Sequence, residues 1–302
     1  MSLALLVTGA GGQLGADLLA LARPAQDVAF ARGLTSRELD ITDPFAVRDV
    51  VAQWAGVVHS DSPAHRLVVV NAAAYTAVDD AETDEERAYA VNAAGPALLA
   101  AACDRVGAQL IQVSTDYVFA GDGSVPYEVD SPTAPRSAYG RTKLAGEQVV
   151  REVLPDASWV VRTAWLYGAT GSNFVKTMAA LEATRETLAV VDDQRGSPTW
   201  SRDLAAGLLE LAQRQPPAGV LHATNSGAAT WRDLAAAVFT ELGADPARVT
   251  ATTSAAYPRP APRPAYSVLS AAAWAHAGLT PLRGWRAALA DAFALQGASL
   301  RP

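Results

Sequence analysis

Only one cysteine occurs in the 302 residues, Cys103, set in an alanine-rich stretch. It has no intramolecular partner, which excludes a disulfide framework and fits a reducing, cytoplasmic setting. The four histidines, His59, His65, His222 and His276, are scattered, and no two stand at helical ligand spacing. No metal centre is therefore expected; the sequence says nothing of Mg²⁺. No apolar run approaches the ~20 residues that span a bilayer, and Leu3-Ala4-Leu5-Leu6-Val7 leads into a glycine turn without a basic leader. No membrane partner is expected. Basic residues are in deficit, 24 Lys and Arg against 31 Asp and Glu, for a formal net charge of −7. An acidic chain repels a phosphate backbone, so nucleic acid is not an expected partner.

What is present suits an ordinary globular chain of about two domains, with 50% hydrophobic and 18% charged residues. The first half alternates short β-rich runs with longer helical patterns. That rhythm predicts βαβ units and a doubly wound α/β fold on a parallel sheet. Expected strands are 3–8, 28–32, 67–71, 109–114 and 159–162; expected helices are 12–22, 44–54, 83–106 and 139–153. Beyond Thr163 the rhythm is irregular, with helices expected at 173–183 and 202–213 and a loop at 192–199. These pieces predict a second, smaller substrate domain from 164–186 and 221–302, beside a dinucleotide-binding domain of 1–163 with a returning segment at 187–220. Tyr257 to Pro264 holds four prolines in eight residues and must be an extended loop. Its Arg259 and Arg263 make it a candidate clamp for a diphosphate, or a solvated loop that only packs on the small domain.

After the first expected strand comes Thr8-Gly9-Ala10-Gly11-Gly12-Gln13-Leu14-Gly15, leading into an apolar-periodic helix. Glycines here permit positive φ, let backbone N–H groups reach a pyrophosphate and allow close helix-on-strand packing. Gly9, Gly11, Gly12, Gln13, Leu14 and Gly15 are thus the expected cofactor loop of a Rossmann-type domain. The second strand is expected to end at Phe30-Ala31-Arg32-Gly33, where an NAD site places a carboxylate. Arg32 could instead hold a 2′-phosphate, which favours NADPH, or be a plain surface charge. Ser36 and Arg37 nearby could also reach that phosphate, and NADH remains open.

Tyr139 and Lys143 stand four apart, so on a helix they share a face. An adjacent ammonium should lower the phenol's pKa and make the pair a proton donor to a carbonyl; alone, such a pair also describes many surface helices. The strand at 109–114 ends in Ser114-Thr115-Asp116-Tyr117-Val118-Phe119. Ligands of parallel sheets bind beyond the C-terminal strand ends, so Ser114 and Thr115 are expected to face the glycine turn and offer a hydroxyl to a substrate oxygen, or else to cap a loop.

The chain is similar, over nearly its whole length, to the extended short-chain dehydrogenases/reductases and, within them, to the dTDP-4-dehydrorhamnose reductase family. The resemblance rests on the glycine turn, Val70 to Asp79, Asn92, Ser114 to Phe119, Tyr139 with Lys143, Arg162-Thr163-Ala164-Trp165-Leu166-Tyr167-Gly168, Asn173 to Met178, Asp193-Gln194-Arg195-Gly196-Ser197-Pro198-Thr199, and Arg263-Pro264 with Ser267. It implies reduction of the C4 ketone of dTDP-4-dehydro-β-L-rhamnose to dTDP-β-L-rhamnose. Thr115 and Tyr139 would bind the C4 oxygen, with Tyr139 as proton donor, and Lys143 would hold the nicotinamide ribose. Asp40 and Ile41 would flank the adenine, and Ala72, Ala73 and Ala74 would pass under the cofactor. Asp116, Trp165, Asn173 and Arg263 complete the substrate-binding set with Thr115. A sugar-nucleotide epimerase or dehydratase, or a non-catalytic cofactor-binding subunit, would share the fold. The related dehydratases place Asp-Glu after the threonine, whereas Thr115-Asp116 here is followed by Tyr117. Monomer and homodimer both stay open.

Overall fold

A computed structural model describes residues 2–301. The first half runs β1 (Leu3–Thr8), α1 (Gln13–Ala22), β2 (Val28–Leu34), α2 (Pro44–Asp61), β3 (Arg66–Asn71), α3 (Glu85–Tyr89), α4 (Gly95–Val106), β4 (Gln109–Thr115), α5 (Ala138–Val153) and β5 (Ser158–Thr163). Then follow β6 (Leu166–Tyr167), α6 (Phe174–Glu182), β7 (Leu188–Val191), β8 (Arg195–Gly196), β9 (Thr199–Trp200), α7 (Ser201–Arg214), β10 (Gly219–His222), β11 (Ala229–Thr230), α8 (Trp231–Glu241), β12 (Val249–Thr252), α9 (Ala272–His276) and α10 (Trp285–Leu300).

A six-stranded parallel sheet in the order β10-β5-β4-β3-β1-β2 forms the frame. Its inner strands are near-continuous aliphatic runs because helices cover both faces. Leu18, Leu204, Leu208 and Trp274 pack on one face with Leu5 and Val7; Val47, Val51, Leu99 and Val150 pack on the other with Leu6 and Val69. The fold is the doubly wound α/β class that the periodicity predicts. The chain leaves β1 toward β2 and returns to β3 on β1's other side. Such a reversal opens a crevice at the strands' C-terminal ends, which is where the glycine turn sits. A third core, around α6, α8 and α10, joins Val175, Val238, Phe239, Leu289 and Trp200.

The structure departs from the expected elements in instructive ways. The helix expected over 83–106 is broken by a π-helical segment, Ala90–Ala94. Pro96 in the first turn of α4 has no N–H to give the carbonyl four residues back and its ring crowds that turn, so the helix widens there. The loop expected at 192–199 contains β8 and β9, which pair with β11 and β6. Two-residue strands carry no periodicity to read. Residue 220, the expected domain division, falls inside β10, and Trp274 and Leu279, expected in the substrate domain, pack into the first core. Among the described residues, no helix is long and apolar enough to cross a membrane.

Candidate active site

A cavity of about 850 Å³ runs from the glycine turn, across the ends of β1, β3 and β4, to Trp165, Asn173 and Trp231. Gly9 has φ +68°, and a Cβ there would lie 2.5 Å from Ala73 N. Only glycine lets this turn pass against β3's continuation. Gly9, Gly11, Gly12, Gln13 and Leu14 line the cavity, as do Asp40, Ile41, Ala72, Ala73 and Ala74. Gly15 does not; it is buried in α1 against the Gly9 carbonyl. The N-cap of α1 is Gly12, with no side-chain cap and no acidic residue in the first turn. Its leading N–H groups are thus left for an anion. Asp40 accepts hydrogen bonds from the Thr42 N–H at 2.9 Å and hydroxyl at 2.7 Å, which hold its carboxyl below the usual range.

Arg32 too is not brought here. β2 continues to Leu34, so Arg32 lies two residues short of the strand end, exposed and outside the cavity lining. Thr35 and Ser36 line the cavity instead. The Thr35 N–H and hydroxyl both donate to Glu38 Oε2, at 2.8 Å each. Ser36 is the alternative the sequence offers; Thr35 is not, because the strand is expected from the sequence to end two residues earlier.

At the other end, Ser137 caps α5 by accepting the Gly140 N–H at 3.1 Å. Tyr139 and Lys143 both line the cavity, one turn apart, with the Tyr117 ring edge-on to Tyr139 at 5.6 Å. The Lys143 ammonium donates to the Val113 carbonyl at 2.6 Å. The expected lowering of the tyrosine pKa is not what the site produces. Burial pushes the Tyr139 phenol up to about 12, against the opposing influence of the nearby Thr115 hydroxyl. Burial likewise brings Lys143 down to about 8, with Glu147 pulling the other way. Desolvation outweighs a neighbouring charge at this depth.

Thr115 faces this site, with its hydroxyl 3.0 Å from Asp116 Oδ1. Ser114 lines the cavity, but its hydroxyl is committed to Glu147 Oε1 at 2.5 Å, so the expected bond to substrate falls to Thr115. Asp116 is buried, and burial lifts its carboxyl to about 6 despite the nearby Ser267 and Thr115 hydroxyls and backbone N–H groups. Asp116 Oδ2 and Ser267 Oγ are buried without a hydrogen-bond partner.

Trp165 forms the far wall. It sits at φ 46°, a strained conformation for a side chain of this size. A parallel stack on Trp231 at 3.5 Å holds it there, with Phe174 packed on Trp231. Gly196 makes room for the indole, since any Cβ would meet it. Asn173 caps α6 and donates to Gln13 Oε1 at 2.9 Å, tying the second unit to the glycine turn. Trp231 was not predicted; as the first residue of α8 it follows an N-cap threonine and looks like any helix start. Arg263 lies outside the main cavity. Its guanidinium donates to Asp79 Oδ2 at 2.8 Å beside a side cavity of about 50 Å³, and Arg259 is exposed. Among the described residues, no group of His, Cys, Asp or Glu could hold a metal ion.

A family model described as "RmlD substrate binding domain" matches residues 3–296. The chain is 54% identical over 305 residues to a dTDP-4-dehydrorhamnose reductase of Streptomyces griseus, covering 98% of this chain and 95% of that one. It is 53% identical over 293 residues to a Streptomyces antibioticus protein named a "probable dTDP-4,6-dihydroxy-2-methyloxan-3-one 4-ketoreductase", covering 95% and 94%. The crystal structure of a Bacillus anthracis dTDP-4-dehydrorhamnose reductase in complex with NADP superposes with TM-score 0.89 at 34% identity, covering 97% of this chain and 99% of that one. The chain belongs to the RmlD substrate binding domain family and, within it, to the dTDP-4-dehydrorhamnose reductases.

Proposed function

We propose that the chain reduces the C4 ketone of dTDP-4-dehydro-β-L-rhamnose to dTDP-β-L-rhamnose with NADPH, as a cytoplasmic enzyme. The observation that carries this reading is one cavity with the glycine turn and the uncapped start of α1 at one end and Tyr139 beside Thr115 at the other. NADPH, when bound, supplies the hydride; the protein need only orient, protonate and exclude water.

The chain's own groups divide that work. The uncapped N–H groups of α1 and the bare backbone of Gly9, Gly11 and Gly12 would take the pyrophosphate, with Asp40 and Ile41 at the adenine and Ala72 to Ala74 beneath. Lys143 would hold the nicotinamide ribose. Arg32, if it serves the 2′-phosphate, must do so from the open rim, with Thr35 and Ser36 closer in. Thr115 would hold the substrate's C4 oxygen while the Tyr139 hydroxyl gives it a proton, and the Lys143 ammonium would stabilise the phenolate left behind. Asp116 and Asn173 would meet the sugar against Trp165. For Arg263 to reach the nucleotide it would have to exchange Asp79 for phosphate. Dehydration would need acid and base groups for C5 and C6, and Asp116 is the one carboxylate beside Tyr139.

The high identity to the S. antibioticus protein favours one second reading: the same C4 reduction on a different dTDP-4-keto-6-deoxy sugar. The test compares kcat/KM for a panel of such keto sugars with NADPH. The L-rhamno ketone is expected to lead; a preference of about tenfold or more for another ketone would reassign the substrate.

A further inference from the structure

One turn beyond Lys143 on α5, Glu147 is buried, 3% exposed, in a place the reduction as described does not use. Its carboxylate accepts three bonds from Arg162 of β5, at 2.7, 3.0 and 3.1 Å, and one from the Ser114 hydroxyl of β4 at 2.5 Å. Arg162 is fixed in turn by the Val129 carbonyl at 3.2 Å and by its seat over the Phe119 ring. Beyond it His222 of β10 lies 3.4 Å away, kept neutral because burial and Arg162 push its pKa to about 3. Stability gives little reason for such an arrangement, since a buried ion pair roughly balances its desolvation against its attraction and an apolar pair of equal volume does as well.

Its placement gives a better reason. Two rungs cross between α5 and the end of β4: Lys143 to the Val113 carbonyl and Glu147 to Ser114. We infer that Glu147, locked by Arg162 and Ser114, is a positioning residue that holds α5 against β4 so that the Lys143 ammonium, one turn away, stays seated on the Val113 carbonyl. This rests on the role assigned to Lys143 above. Glu147 is the carboxylate whose field reaches Lys143. Asp116 and Tyr117 after β4 and Tyr139 on α5 share the pocket, while Glu82 and Glu85 are engaged on the outer side of α5 with the Ala138 N–H and Arg141.

The test is the pH profile of kcat/KM for the full chain and three variants, with NADPH binding read in parallel by its fluorescence and folding by melting. Losing the carboxylate removes the attraction that opposes desolvation, so in E147Q the alkaline limb moves down by about one pH unit. In E147D, which keeps the charge but draws it back, the limb moves the same way by less. R162Q frees the carboxylate to act on Lys143, and the limb moves up. A role confined to packing would lower kcat/KM across the profile without moving the limb. If E147Q does not fold, E147D against R162Q still decides. An unmoved limb, or movement of all folded variants in one direction, overturns the inference. The NADPH-binding limb gives this answer even if the preferred ketone is a different one.

Discussion

Replacing Asp116 with Asn should stabilise the cofactor-free protein while damaging the enzyme. Asp116 is 3% exposed and its carboxyl is pushed from 3.8 to about 6, chiefly by burial. A carboxyl whose pKa is raised by folding holds its proton more tightly in the native state. Its contribution is therefore fully favourable below the unfolded value and is lost as the pH climbs through the folded one. About two units correspond to roughly 3 kcal/mol of native stability forfeited at neutral pH and above. Asn has nearly the same shape, carries no charge, and could turn its NH₂ toward the unpartnered Ser267 hydroxyl. In a chain of this length that gain should raise the melting temperature by roughly 5 °C at about pH 8, shrinking to nothing near pH 4. Calorimetry of both proteins across that range is the assay. Equal melting points at pH 8, or a difference that does not fall with pH, would refute the reasoning. Turnover should drop, because the carboxylate belongs to the ligand and not to the fold.

Tyr139→Phe should lower turnover by about 10²–10⁴-fold with NADPH binding intact, because the ring still packs beside Tyr117 while the proton donor is gone; stopped-flow turnover and cofactor titration separate the two. Gly9→Ala puts a Cβ into the Ala72–Ala73 backbone at φ +68°, and should weaken NADPH binding and lower the melting point together. Trp231→Ala removes the stack that holds Trp165 in its strained conformation, and should raise KM for the sugar nucleotide while leaving that for NADPH unchanged.

The parts of the molecule that could be read from sequence are those where a local pattern determines the structure. The aliphatic strands β1 and β3 are buried on both faces and say so in five or six consecutive residues. Asp43-Pro44 opens α2 as an N-cap and first-turn proline should, because the Asp43 carboxylate accepts the Phe45 and Ala46 N–H groups. Glycine spacing pointed to one end of the cavity, and a Tyr-Lys interval of four put two side chains on the helix face that lines it. What stayed hidden depends on partners far along the chain. Glu147 reads as an ordinary charged helix position until Arg162 is folded against it. Trp231 meets Trp165 from 66 positions further along the chain, which no local period encodes. The sign of the Tyr139 shift is another such case: spacing reports an ammonium one turn away, but only the packed structure reports the burial that raises the phenol.

The most direct test follows one atom. The purified chain is given the dTDP-4-keto-L-sugar and NADPH deuterated at the transferable nicotinamide position, and the product is read by NMR and mass spectrometry. The account predicts one deuterium at the sugar C4, one NADPH consumed per alcohol formed, and the hydroxyl proton drawn from solvent through Tyr139. Deuterium at another carbon, turnover without net NADPH consumption, or loss of water from the sugar would contradict it.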